Sequence, residues 1–147
     1  MTQITLKELA LAINQQIIQA FPSIPITTKD IKEGFSRPSF YVDFDSFRAS
    51  KPGTRRTEKN NRVTIYFFPT DRYQYKLETL EVQEGLQAAF IDRLVIDESL
   101  SLITGETTGE VVDGVLQFEI NLEYIEIENV DLADEVLPYM EELNYKG

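Results

Sequence analysis

Apolar and polar residues alternate along this chain with two different periods, and each change of period marks a predicted element. Near the start, apolar residues recur every four positions, which is typical of an amphipathic helix. These residues are Leu9, Ile13, Ile17 and Phe21. Thr5 followed by Glu8 fits a capping box, in which each residue satisfies a free amide of the first turn. The pattern therefore predicts a helix that begins after Thr5 and ends near Pro22.

A two-residue period follows and predicts three strands. Residues 26–34 are typical of a short strand and turn. Residues 40–44 alternate apolar side chains with carboxylates, and residues 63–67 resume the alternation until Pro69 stops the strand. The second and third of these strands flank residues 48–62 as a long hairpin extension.

A second helix is predicted over residues 72–93, with Gly85 weakening it slightly. Its apolar face comprises Val82, Leu86, Ala89, Phe90 and Leu94. Two further strands follow, one around Leu100 and one over residues 116–124. The Asp113-Gly114 pair between them is a strong hairpin signal.

The alternation changes phase at the end of the last strand, where Ile125 and Ile127 become the apolar positions and Glu126 and Glu128 stand opposite them. Such a slip indicates a bulge, or a strand that leaves its own sheet to face something else. Residues 129–147 form an acidic C-terminal tail.

These elements predict one domain over residues 1–147 with an α+β fold. The order is helix, three strands, helix, two strands and tail. We expect an antiparallel or mixed β-sheet with two helices packed on one face.

Composition removes most catalytic chemistry. The chain contains no Cys and no His, which excludes disulfides, the usual zinc ligands and the Ser-His and Cys-His dyads. Asp43 and Asp45 on one strand face could hold a divalent cation, and residues 30–32 match the end of a loose nuclease motif. Strand alternation alone explains the two aspartates. An enzyme of this composition would have to use carboxylates, Lys or Tyr.

Charge is divided between the two halves of the chain. Residues 1–77 carry 12 Lys and Arg against 7 Asp and Glu, whereas residues 78–147 carry 2 against 18. Six cations lie in residues 48–62, where Pro52 and Gly53 disfavour regular structure. These cations are Arg48, Lys51, Arg55, Arg56, Lys59 and Arg62. The segment is either a mobile hairpin tip or an arm that contacts an acidic surface, and in a head-to-tail ring that surface could belong to a neighbouring copy.

No signal-peptide pattern and no apolar run of membrane-spanning length is evident in the sequence. We therefore expect a soluble protein made in the cytoplasm, with no membrane partner. The net charge of -11 disfavours general binding to nucleic acid, because phosphates would be repelled by everything except residues 48–62.

Three segments together resemble a known family. They are RPSFYVDF (37–44), RVTIYFFPTDRY (62–73) leading into the second helix, and DGVLQFEINLEYIE (113–126). In this pattern of core and turn residues the chain resembles the small tail terminator proteins of tailed bacteriophages and phage-derived particles.

The resemblance implies a structural virion protein without enzymatic activity, catalytic residues, metal site or cofactor. It also implies a protein assembled in the host cytoplasm and placed at the neck end of the tail. It implies a homo-hexameric ring that caps the tail tube, ends tail elongation and joins the head. Expected partners are copies of itself, the tail tube protein, a head-tail connector or neck protein and, in a contractile tail, the sheath protein. Specific nucleic-acid binding is not expected.

The residues predicted to bind partners are the six cations of residues 48–62 together with Glu126 and Glu128. Two other functions stay open at this point. One is a different head-tail connector or tail-completion protein. The other is a nucleic-acid-binding or nuclease accessory domain that uses the same basic segment.

Overall fold

A computed structural model describes residues 4–27, 37–71, 73–97 and 100–127. It contains two helices, α1 (Leu6–Ala20) and α2 (Lys76–Phe90). Its strands are β1 (Ser39–Ser50), β2 (Arg56–Phe68), β3 (Arg93–Asp97), β4 (Leu100–Val112) and β5 (Val115–Ile127). The strands form one antiparallel sheet in the order β1-β2-β5-β4-β3. The predicted α+β fold is confirmed.

Helix α1 begins at the predicted place, but only the Thr5 half of the predicted capping box is seen, because the Glu8 carboxylate accepts from the Thr5 hydroxyl and not from a backbone amide. The amide of Glu8 donates to Thr5 Oγ1 at 3.1 Å, and the Thr5 hydroxyl donates to the Glu8 carboxylate at 3.2 Å. The four-residue repeat then places Leu9, Ile13 and Ile17 in the core, each fully buried. The apolar stripe therefore fixes which side of α1 meets the sheet.

Helix α2 is shorter than predicted and ends at Phe90, so the prediction that Leu94 continues its apolar face is wrong. Leu94 lies in β3, where it is fully buried opposite Leu102. The spacing from Phe90 to Leu94 fits a helix, but the residues between them turn the chain into an edge strand. Arg72, at the predicted start of this helix, lies outside the described residues.

The first predicted strand is not seen as a strand in the described residues. Ile26 forms a single bridge to Phe40, and the Thr27 amide donates to the Phe40 carbonyl at 2.7 Å; residues 28–36 lie outside the described part of the chain. The long hairpin extension predicted between a second and a third strand is not confirmed. The structure instead pairs its first two strands, β1 and β2.

The centre of the sheet is β5, which pairs with β2 on one side and β4 on the other. The turn before it is formed by Asp113 and Gly114, whose φ angles are 52° and 77°. Two consecutive positive φ angles are what a type I′ hairpin turn requires, so this part of the prediction is confirmed.

Both helices pack on one face of the sheet, which we call the core face. Its largest fully buried side chains come from both helices and from β1, β2, β3 and β5. They are Phe40, Phe67, Phe90, Phe118, Leu9, Ile13, Ile17, Ile65, Leu86, Leu94, Ile120 and Leu122. The opposite face, which we call the outer face, carries polar residues at the alternate positions, among them Arg62, Glu119 and Asn121. The helices leave this outer face open.

Candidate assembly surface

The basic segment is mostly regular strand, and the prediction that it lacks regular structure holds only for its centre. Arg48 lies in β1 opposite Asn60 of β2, and the ladder continues to Ser50 opposite Glu58. Only residues 51–55 connect the two strands outside the ladder. Since β5 also pairs with β2 as far as Arg56 opposite Ile127, most of the segment is held by backbone hydrogen bonds as part of the sheet.

Strand alternation divides the cations between the two faces. Arg48 and Arg62 project on the outer face, and so does Arg56, which lies opposite Ile127 of β5. Lys59 projects on the core face, beyond the region that the helices cover. Lys51 and Arg55 lie in the connection and are exposed. A segment that looks like one basic cluster in sequence therefore presents most of its charge on the outer face and the tip.

Two of the three outer-face cations, Arg56 and Arg62, have acidic neighbours in the same subunit. The Arg56 guanidinium lies 2.9 Å from Glu58 Oε1, and Arg62 Nε lies 3.9 Å from Asp45 and 3.8 Å from Glu119. These groups are partly exposed, and exposed pairs of this kind contribute only about 0 to 1 kcal/mol. Such pairs can be exchanged for contacts with another molecule at little cost.

Lys59 and Glu126, by contrast, form an ion pair inside the subunit, in which the carboxylate is buried and the Lys59 side chain is 26% exposed. The Lys59 ammonium contacts Glu126 Oε1, and the amide of Ile4 donates to Oε2 of the same carboxylate at 2.7 Å. Glu126 is 3% exposed. Its carboxylate therefore joins the basic strand β2 to the segment that leads into α1.

Strand β5 brings part of the acidic half beside the basic segment within one subunit, since it pairs with β2 along its length. Contact of the basic segment with a neighbouring copy stays a prediction. The bulge, or departure from the sheet, predicted at the change of phase is wrong, because β5 stays in register with β2 through Ile127. The side chain of Glu126 faces the core face where a two-residue period expects an apolar residue, and Ile125 and Ile127 face outward instead.

Tyr124 and Asn61 lie next to the ion pair on the core face. Asn61 Nδ2 donates to the Tyr124 hydroxyl at 3.3 Å. Burial raises the pKa of Tyr124, and the nearby Lys59 charge and this hydrogen bond partly offset the rise. The far end of the core face is thus a small polar network, in contrast to the aliphatic and aromatic packing under the helices.

A groove of about 660 Å³ runs along the outer face of this end of the sheet. Three neighbouring positions lie across the groove on β1, β2 and β5, namely Arg48, Asn60 and Glu123. Asn60 Nδ2 donates to Glu123 Oε1 at 3.0 Å. The next positions along are Ser50, Glu58 and Ile125. The groove is open, polar on one side and apolar where Ile125 lines it.

The two aspartates considered for metal binding lie elsewhere on the outer face. Asp45 occupies the irregularity of β1 between Phe44 and Ser46 and accepts a hydrogen bond from Thr64. Burial, and then Asp45 as hydrogen-bond partner and charge, raise the pKa of Asp43. Within residues 4–27, 37–71, 73–97 and 100–127, no three or more acidic, His or Cys side chains are grouped so that they could hold a metal ion.

Of the residues predicted to bind partners, the structure brings Arg48, Arg56, Lys59 and Glu126 to one end of the sheet. Glu128 lies outside the described residues. Sequence reasoning did not select Ile125 and Ile127 as surface residues, although they are 49% and 60% exposed. The change of phase in the alternation could have identified them. It implies that either these isoleucines or Glu126 and Glu128 are exposed to solvent.

Neither of the two described helices is long and apolar enough to cross a membrane.

Comparison with known proteins identifies the family. Residues 8–134 match the family described as phage tail terminator protein. The chain therefore belongs to the phage tail terminator family, a family of structural virion proteins, and its place is the virion tail.

Other comparisons add little. No curated protein matches the chain at a significant level. One matching solved structure has 15% sequence identity and a TM-score of 0.41, covering 87% of this chain and 99% of that one.

Proposed function

We propose that this protein caps the tail tube as a homo-hexameric ring, ends tail elongation and provides the surface that joins the tail to the head or neck. The observation that supports this most directly is the family match over residues 8–134. An enzymatic role is not proposed, since the family is one of structural virion proteins.

The charge distribution suggests how copies of the subunit would meet. The outer face and tip of the β1–β2 hairpin carry cations, whereas the second half of the chain carries 18 of the 25 acidic residues. In a head-to-tail ring, different patches of identical subunits face each other, so a basic patch can meet an acidic one at every interface. Opposite patches also speed association and disfavour wrong orientations.

The contact residues we propose are those that project outward or from the tip. They are Arg48, Lys51, Arg55, Arg56 and Arg62. Direct contact of Lys59 and Glu126 with a neighbour stays a prediction. Their ion pair inside the subunit supports a positioning role, in which they hold the end of β2 against β5.

The test of this proposal reverses two tip charges, Arg55→Glu together with Arg56→Glu, in a phage or particle that depends on this protein. We expect loss of capping, seen in electron micrographs as tails of irregular and excessive length. The matched control is Lys7→Glu with Lys76→Glu, which makes the same charge change on two exposed helix positions and should leave tail length uniform.

Two results would count against the proposal. Uniform tails in the Arg55 and Arg56 variant would show that the tip has no part in capping. Uniform tails that fail to acquire heads would instead favour a connector or tail-completion role, because such a protein acts after the tube has reached its length.

A further inference from the structure

The sheet has an open edge on each side. Strand β3 pairs only with residues 100–103 of β4, so within the described part of the chain residues 104–112 of β4 pair with β5 alone. On the opposite edge β1 pairs with β2. Among the described residues only Phe40 of β1 has backbone bonds on its other side, to Pro25 and Thr27. An open edge of this kind is a template for a further strand.

The bonds of Phe40 show which residues of β4 point their backbone groups outward. In an antiparallel ladder, successive residues bond alternately to one side and to the other. Phe40 bonds away from β2. Followed through the registers of β1 with β2, β2 with β5 and β5 with β4, this alternation turns the amides and carbonyls of Thr107, Gly109 and Val111 away from β5. These groups form the open edge of β4.

The open edge of β1 has a regular stretch near the end of the strand. The irregularity between Phe44 and Ser46 shifts the alternation by one residue. Beyond it, Phe47 and Ala49 point their backbone groups outward. Residues 46–50 then continue without interruption to the end of β1.

The direction of the strands determines how two copies could join these edges. Strands β1, β2, β5 and β4 lie side by side and alternate in direction. A copy that is rotated about an axis along the strands therefore presents its β1 antiparallel to the β4 of its neighbour. The contact joins two different edges, so it is heterologous, as a head-to-tail ring requires.

Exposed apolar side chains favour one register of this pairing. Phe47 stacks on Phe44 of the core at 5.7 Å between ring centroids, and Val111 lies opposite the buried Leu116, so both project on the core face. Phe47 is 55% exposed and Val111 is 44% exposed. An aromatic and a β-branched side chain directly opposite each other stabilise a pair of strands. Placing Phe47 opposite Val111 would cover both.

The same register pairs opposite charges on the other face of the sheet. With Phe47 opposite Val111, Arg48 of one copy comes opposite Glu110 of the next. Both residues are exposed, and both project on the outer face. An opposite-charge pair at such positions is stabilising.

The earlier part of β1 is less suitable. Asp43 and Asp45 project on its outer face and would come beside Glu106 or Glu110 of β4. Like charges directly opposite each other destabilise a pair of strands. Pairing of β4 with the β4 of another copy would likewise bring Glu106 and Glu110 together.

We propose that residues 46–50 of β1 in one subunit add as an antiparallel strand to residues 108–112 of β4 in the next subunit, with Phe47 opposite Val111. The contact rests on the head-to-tail arrangement of the proposed function and assigns the two surfaces that meet in it. It extends the sheet from one copy to the next.

Disulfide trapping between two variants tests the contact. The natural chain has no Cys, so every cross-link comes from introduced residues. In the proposed register Ser50 and Thr108 face each other at a pair of positions whose Cα atoms approach to about 4.5 Å, within the range of a disulfide. Under mild oxidation, Ser50→Cys subunits mixed with Thr108→Cys subunits should form mixed dimers about tenfold faster than either variant forms dimers with itself.

The matched control replaces Thr108→Cys by Ser101→Cys. Ser101 is exposed on the same strand, but it lies in the part of β4 that β3 already pairs with. A Cys there should react with Ser50→Cys only through chance encounters, at the slow rate of the unmixed variants.

A charge exchange tests the register. Arg48→Glu in the Ser50→Cys subunit should slow formation of the mixed dimer about fivefold, because it places two carboxylates opposite each other. Glu110→Arg in the Thr108→Cys subunit should then restore the rate. Lys7→Glu, the same charge change on an exposed position of α1, should leave the rate unchanged.

Three results would overturn the inference. They are equal rates with Thr108→Cys and Ser101→Cys, faster cross-linking of one variant with itself, which would indicate a two-fold contact between like edges, and a charge exchange that does not restore the rate. Light scattering on the unoxidised protein separates this test from the proposed function. Rings without selective cross-links contradict the strand pairing alone, whereas selective cross-links in a protein that forms no closed ring contradict only the capping proposal.

Discussion

A single side chain, Glu126, accounts for the break in the alternation of the last strand. A charged residue at position 126 is expected on the solvent-exposed face of the strand. The sequence therefore predicts a bulge, or a strand that leaves its own sheet. The structure keeps the register and provides partners on the buried side, the Lys59 ammonium and the Ile4 amide. Neither partner lies near Glu126 in sequence, so no local pattern could have predicted this orientation.

Removal of the Glu126 carboxylate should destabilise the fold. Glu126→Ala leaves the Ile4 amide without its acceptor and the partly exposed Lys59 ammonium without its partner, which should cost about 2 kcal/mol. Urea unfolding measures the loss. The control is Glu123→Ala, which removes an exposed carboxylate three residues away on the outer face and should cost about 1 kcal/mol or less. Equal losses in the two variants would show that the Lys59 contact has no structural role.

Asp43 gives a second prediction at the scale of a residue, concerning pH. Burial and the neighbouring Asp45 raise the pKa of Asp43 above its ordinary value of 3.8. The folded state therefore binds this proton more tightly than the unfolded state, and the free energy of unfolding falls as pH rises through the window above 3.8.

Asp43→Asn removes that titration. Relative to the natural chain, the variant should become more stable as pH rises from below 3.8 to neutral, as measured by thermal or urea unfolding at each pH. Glu110→Gln removes an exposed carboxylate from β4 and serves as the charge control. A stability difference between Asp43→Asn and the natural chain that does not change with pH would contradict the assignment.

At the scale of elements, helix α1, the pairing of β4 with β5 and the α+β class followed from the sequence, because periodicity and turn residues determine them locally. Strand β3 did not follow, since Leu94 continues the four-residue spacing of α2. The strand character of residues 48–50 and 56–62 was also missed. The outer-face positions of these residues are charged or polar. On the core face Lys59 and Asn61 are polar as well, so apolar and polar residues do not alternate and no strand is predicted.

Gly85 weakens helix α2, but the packing of α1 against α2 requires a glycine at this position. A Cβ at this position would lie 2.5 Å from Phe21 Cζ, and the Phe21 ring is in turn held at 5.2 Å from the Phe40 ring. The glycine lowers the helix propensity of α2, but it allows the residue that ends α1 to lie against it.

Gly85→Ala should therefore destabilise the protein by about 1 to 3 kcal/mol, because the overlap outweighs the gain in helix propensity. The measurement is urea unfolding with Gly53→Ala as the control, since a Cβ at Gly53 would have no atom within 4 Å. Stabilisation by Gly85→Ala would show that the Phe21 ring moves aside freely.

At the scale of the whole molecule, the sign of the charge changes between the halves of the sequence, but the fold places the halves side by side. Strand β2 carries cations and its neighbour β5 carries acids, so part of the asymmetry is neutralised within the subunit. The cations on the outer face and at the tip of the hairpin are exposed. The charge difference is visible in the sequence. That acids of β5 pair with cations of β2 within one subunit is visible only in the structure.

Assembly through that remaining charge should depend on salt. The Debye length falls from about 8 Å at physiological ionic strength to about 3 Å at 1 M, which screens exposed pairs such as those of Arg56 and Arg62 much more than the pair of Lys59 with the buried Glu126 carboxylate. We therefore expect 1 M NaCl to dissociate rings of the protein into subunits that stay folded, as judged by light scattering and circular dichroism on the same samples. Potassium glutamate and NaCl at equal ionic strength should act alike if screening is the cause. Rings that persist at 1 M salt but dissociate when Ile125 and Ile127 are both changed to Ser would indicate instead that apolar burial at the end of β5 holds the subunits together.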